Sequence, residues 1–254
     1  MSKVLITSGC SFSECISTHI DTWPRHLYKS LQAHGYTKHI SCAMGSQGNG
    51  LISRNAMHKI ITSLDNYKPQ DILVGIMWSH SNRFDYRCEN PNLLSFGNQN
   101  KHGWMTNPLN FVEGAPKNWV IGNLHWNSIE FNTYLKFFHS DIGAAVLSLE
   151  HILRLQYFLK FHNIPYFFTN FTDNNIVNKH LENNPEVSYL FKQLDYNNYL
   201  PVTSEHRWVC ENAQDKEEYI KEHKDVIWIH PKTHHHKEFV DGVIYPWLKV
   251  KNYI

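Results

Sequence analysis

A chain of 254 residues, 42% hydrophobic and 19% charged, is long and apolar enough for one large α/β domain, read here as a single unit over 1–254. Its formal net charge of +1 excludes a global field that would gather nucleic acid or an anionic membrane. No apolar run is long enough to span a bilayer and no secretory leader is visible. The five cysteines form no CxxC pair and read as free thiols, so a cytoplasmic location is expected.

The β-branched run Lys3 to Thr7 predicts a buried strand. It ends in Ser8-Gly9-Cys10-Ser11, small residues that permit a sharp turn. A serine at the carboxyl end of such a strand can bring its hydroxyl and its own N–H to one point, which suits a nucleophile that also helps bind an oxyanion. The same turn also reads as an ordinary strand-to-loop junction. Asp21 or Thr22 can cap a helix with Pro24 in its first turn, Trp23, Leu27 and Leu31 on one face, and Gly35 closing it. A strand is expected around His39 to Ala43, followed by the small-residue loop Gly45 to Gly50. Asn49 is expected to cap a helix with the stripe Ile52, Ala56, Ile60 and Leu64. A third strand, Asp71 to Trp78, reads as buried on both faces and runs into Ser79-His80-Ser81-Asn82-Arg83.

Residues 86–140 interrupt this strand–helix alternation and read as an insertion, partly helical near Asn127 to Phe138, able to wall a site. The pattern resumes with a helix from Asp141 to His162, its stripe Ile142, Ala145, Leu149, Ile152 and Leu159, and a strand from Ile164 to Thr169. Residues 173–224 are polar and predict a second insertion of short helices. A last strand near Val226 to Ile229 leads into His230-Pro231, and a closing helix runs from about His235 to Leu248. Together these elements predict a three-layer α/β/α sandwich around a doubly wound parallel sheet. The run His234-His235-His236 invites a metal reading. Adjacent helical histidines diverge, however, and no HExxH or paired CxxC supports them, so neither metal nor cofactor is expected.

Four blocks stand at strand ends: Gly9-Cys10-Ser11-Phe12-Ser13, Gly45-Ser46-Gln47-Gly48-Asn49, Trp78 to Asp85, and His230-Pro231. In this order and spacing the chain resembles the SGNH hydrolase superfamily, the GDSL-type lipases and esterases, and more closely its divergent phage and marine bacterial members. The resemblance implies a flavodoxin-like SGNH fold with Ser11 as nucleophile and His230 as base and later acid. It implies oxyanion donors from the N–H groups of Ser11 and Gly48 and from the Asn82 side chain. Gly45 is an alternative to Gly48, and His80 stands where the family's third-block asparagine falls. Cys10 replaces the family's aspartate. The triad acid, expected three residues before the histidine, is replaced by Ile227. Asp225 is then the nearest carboxylate, with a backbone carbonyl as the other option. The implied activity is hydrolysis of an ester, such as an O-acetyl group on a carbohydrate, through a Ser–His acyl-enzyme. The alternative is an inactive protein of this fold that binds a glycan or protein partner. The expected partner is a small-molecule or glycan ester, not nucleic acid or membrane.

Overall fold

The computed structural model describes residues 2–14, 20–87, 106–107, 119–123, 129–172, 181–202, 204–223 and 230–254. Four strands form a parallel sheet in the order β2-β1-β3-β7: β1 (Lys3–Ser8), β2 (Tyr36–Ser41), β3 (Ile72–Trp78) and β7 (Tyr166–Asn170). Both faces are buried, so successive side chains feed two different cores. Val4, Ile6, Val74, Ile76, Trp78 and Phe168 enter one core. It is shared with α2 (Asn49–Leu64), α4 (Asp141–Phe161) and α5 (Pro185–Phe191). Leu5, Leu73, Met77 and Phe167 enter the other, against α1 (Trp23–Leu31) and the C-terminal helices α8 (Thr233–Phe239) and α9 (Tyr245–Val250). This is the three-layer α/β arrangement that the alternation predicts. The chain winds from β1 out to β2, then back past β1 to β3. The order therefore reverses beside β1, where open α/β sheets bind ligands at the carboxyl edge.

Several elements depart from the sequence reading. β2 begins at Tyr36, three residues before His39, because Gly35 takes φ 85° and turns the chain straight into the strand. Asn49 does not cap α2. Gly48 occupies the cap, and the Asn49 side chain turns inward. Ile142 is exposed at 37% and drops out of the α4 stripe, which Ser140 caps by accepting from the Gly143 N–H at 2.9 Å.

Arg83 begins a strand rather than lying in a loop. β4 (Arg83–Arg87) pairs antiparallel with β6 (Trp119–Asn123), which pairs with β5 (Thr106–Asn107). This small sheet starts just before the first insertion and continues into it, ahead of α3 (Ile129–Phe137). The second insertion carries α5, α6 (Glu205–Asn212) and α7 (Lys216–His223). The closing helix is broken between α8 and α9 by a π segment, Val240–Ile244. Pro246 follows it, and a proline has no N–H to continue the regular ladder. The strand expected at Val226 to Ile229 lies outside the described residues.

Candidate active site

The turn after β1 presents Ser11. Ser13 N–H donates to the Cys10 carbonyl at 2.9 Å, and Ser13 Oγ accepts from the buried indole N–H of Trp23 at 2.9 Å. The turn is thus fastened to α1. A Cβ on Gly9 would lie 2.3 Å from Ser13 Oγ and 3.1 Å from the Met77 carbonyl, so no larger residue fits there without displacing the turn. Beside Ser11, His230 Nε2 stands 2.6 Å from Ser11 Oγ, across 219 positions of sequence. The Phe12 ring lies 4.9 Å from the His230 ring and 5.1 Å from Phe171, just past β7. These rings form an apolar wall behind the imidazole.

The loop after β2 forms the other side. Cys42 N–H donates to the Thr7 carbonyl at 2.7 Å and Met44 N–H to the Gly9 carbonyl at 3.2 Å. The buried Gln47 amide donates to the Gly9 and Cys42 carbonyls, and its oxygen accepts from Asn55 at 3.1 Å. These bonds bring Gly45 against the turn that carries Ser11. A Cβ at Gly45 would lie 4.0 Å from Ser11 Cβ, and the Gly45 N–H donates to Glu14 Oε2 at 2.8 Å.

Gly48 is placed differently. It is buried, and a Cβ there would lie 2.6 Å from the Arg83 carbonyl and 2.7 Å from Asp85 Oδ1. The Asp85 carboxyl lies near the N–H groups of Gly48 and Leu51 at the start of α2, a helix with no side-chain cap hydrogen bond. Of the two loop glycines, Gly45 stands beside Ser11, and Gly48 contacts the start of the small antiparallel sheet.

His80 and Asn82 occupy a turn closed by the Arg83 N–H on the His80 carbonyl at 3.0 Å. The His80 ring is 6.3 Å from Phe171, which ties this turn to the aromatic wall. Both residues are partly buried. The strand end itself is pinned by Asn49. Its Oδ1 accepts from the Ser79 N–H at 2.8 Å and its Nδ2 donates to the Ser79 carbonyl at 3.0 Å. Arg83 donates to Ser79 Oγ at 3.0 Å and lies over the Phe171 ring at 5.0 Å. Asp225 and Ile227 lie outside the described residues.

Next to this site, beyond Arg83, is a cavity of about 300 Å³ whose lining includes Asn49, Phe84, Asp85, Tyr134 and His151. Burial pushes the Asp85 carboxyl up to about 6 against the pull of Arg54, and burial with two arginines nearby holds His151 down to about 4. Sequence reasoning passed over Glu14, Phe12, Asn49, Asp85 and Phe171. Of these, Phe12, Asn49 and Asp85 lie inside the quoted blocks, and nothing in the local pattern marks their partners.

The histidine run has acid partners. His234 Nε2 and His235 Nε2 stand 3.1 and 2.6 Å from the two oxygens of Asp215, and buried His236 pairs with buried Glu205 at 2.5 Å. Asp215, His234 and His235 are close enough to share a cation. Yet His235 Nδ1 accepts the Lys232 N–H at 3.1 Å. In a neutral imidazole the proton then resides on Nε2, which leaves that atom no lone pair for a metal. The arrangement fits a hydrogen-bonded helix start.

No protein-family model and no curated protein matches the sequence. Among solved structures the chain is similar to the crystal structure of TesA, at 12% identity and TM-score 0.49, covering 98% of this chain and 99% of that one. It is also similar to AlinE4, a SGNH-hydrolase family esterase, at 15% identity and TM-score 0.41, covering 95% of this chain and 93% of that one.

Proposed function

We propose that the protein is a serine esterase or deacylase of SGNH type. One observation carries this reading: Ser11 Oγ and His230 Nε2 are within a 2.6 Å hydrogen bond at the carboxyl edge of the sheet, beside the point where the strand order reverses. A nucleophile and base at that distance can perform acyl transfer. Ser11 Oγ attacks the ester carbonyl as His230 takes its proton. His230 then returns that proton to the departing alcohol, leaving an acyl-serine. Water, deprotonated by His230, attacks the acyl-serine and releases the acid and free Ser11. Main-chain N–H groups at Ser11 and Gly45 are the oxyanion donors in this reading, with the turn of His80 and Asn82 as the third side. Asp225 is the proposed partner of the His230 Nδ1 side.

The substrate class we favour is an O-acylated carbohydrate. The neighbouring cavity supports this, because it combines the Phe84 and Tyr134 rings, 4.7 Å apart, with the polar groups of Arg83, Asp85 and His151. The test is labelling by a fluorophosphonate probe, with release of acetate from acetylated xylan and from p-nitrophenyl acetate measured alongside. Labelling of the wild type but not of Ser11→Ala is expected. Equal labelling or equal hydrolysis by the two would leave only the binding-protein alternative.

A further inference from the structure

Ser11 and His230 share the end of β1 with an acid. Glu14, three residues past Ser11, directs its side chain back to the loop after β2, where Oε2 accepts the Gly45 N–H at 2.8 Å. The position of a Gly45 Cβ would be 3.1 Å from that same oxygen and 4.0 Å from Ser11 Cβ. The Gly45 backbone, the Glu14 carboxylate and the Ser11 side chain therefore meet in one small volume, with Ser11 Oγ already on His230.

A main-chain N–H on the loop packed beside a nucleophilic serine can receive the negative oxygen of a tetrahedral intermediate. We propose that the Glu14 carboxylate is an internal occupant of this oxyanion site and restrains turnover until it leaves the Gly45 N–H. This inference rests on the esterase reading above. One N–H directs its proton well at only one oxygen. An attacked carbonyl oxygen must compete with Glu14 for it, and gains negative charge beside a carboxylate as it does so. Glu14 is partly exposed, so its side chain can turn out to water without stranding a buried charge.

The test compares full-length wild type, Glu14→Ala, Glu14→Gln and Ser11→Ala. The measurements are p-nitrophenyl acetate kinetics, fluorophosphonate labelling, and thermal melts by circular dichroism as a folding check. Losing one oxyanion donor in a serine hydrolase costs about 10²–10³ in kcat, so freeing one should raise kcat by at least about tenfold in Glu14→Ala. Glu14→Gln should fall between, because its amide oxygen can accept the same bond without the charge. Sodium acetate should inhibit Glu14→Ala more strongly than wild type, because a freed N–H accepts an added carboxylate. A purely structural role for Glu14 would not produce that anion sensitivity. Ser11 labelling with Glu14→Ala at or below the wild-type rate would overturn the inference and make Glu14 a positioning residue for the Gly45 loop. If Glu14→Ala does not fold, a Glu14→Gln rate no higher than wild type overturns it equally. Absence of Ser11 labelling in every folded protein would remove the esterase reading, and the inference with it.

Discussion

Gly9→Ala is the most direct probe of how the turn carrying Ser11 is built. The added methyl would lie 2.3 Å from Ser13 Oγ, 2.8 Å from Ser13 Cβ and 3.1 Å from the Met77 carbonyl. Gly9 does not have a positive φ, so the cost is one of space rather than of backbone conformation. Two losses combine. Forcing a methyl into this packed turn costs about 1–3 kcal/mol. Driving Ser13 away leaves the buried Trp23 indole N–H without its acceptor, a further cost of about 1–3 kcal/mol. Ser13→Ala removes the acceptor but adds nothing, so it should show only the second loss. Urea unfolding of the two variants against wild type measures both. Gly9→Ala is expected to be the less stable by about 1–3 kcal/mol, and to label more slowly at Ser11. If Gly9→Ala were as stable as Ser13→Ala, the turn would have room to adjust and the steric account of the glycine would be wrong.

Other expectations follow from the same geometry. Ser11→Ala and His230→Ala should each abolish esterase activity with unchanged circular dichroism; retained activity in either would refute the dyad. Asp225→Asn tests the acid. In full triads the corresponding change costs about 10⁴ in kcat, and a loss under tenfold here would assign the role to a backbone carbonyl. Burial holds His39 down to about 4, below the usual histidine value near 6.5. The unfolded chain therefore binds the proton first, and His39 makes stability fall as pH drops from about 6.5 to 4. Thermal melts of His39→Gln should show a shallower loss over that window, and an unchanged slope would refute it. Asp85 has the opposite sign: its carboxyl, raised to about 6, loses stability as pH rises from about 4 to 6, so Asp85→Asn should remove that component. Dialysis against a chelator should leave both the melting temperature and Ser11 labelling unchanged. A loss of either, restored by zinc, would show that Asp215, His234 and His235 hold a metal after all.

Much of the scaffold was legible in the sequence because the signals are local. The short apolar, β-branched runs Lys3 to Thr7 and Asp71 to Trp78 mark strands buried on both faces. Gly35 marks the end of the first helical segment, and glycine two residues before Ser11 marks a tight turn. Continuous apolar runs and turn chemistry are set by neighbours along the chain, so they survive reading in one dimension. The pairing of β6 with β4 and β5 was not legible, because these strands are short and β4 and β6 lie some thirty positions apart.

The candidate site divides the same way. Sequence alone singled out Ser11 and His230 through their blocks, and both Gly45 and Gly48 through one glycine-rich loop. Tertiary structure decided that Gly45 lies beside Ser11, because Gln47 and Met44 hydrogen-bond back to the Gly9 carbonyl while Asp85 and Arg83 surround Gly48. It also turned Asn49 from a helix cap into the clasp on Ser79, and brought the Glu14 carboxylate onto the Gly45 N–H. Each of these outcomes depends on which hydrogen-bond partner wins a buried polar group. That competition is settled among residues tens of positions apart, once the sheet has brought their loops to a common edge.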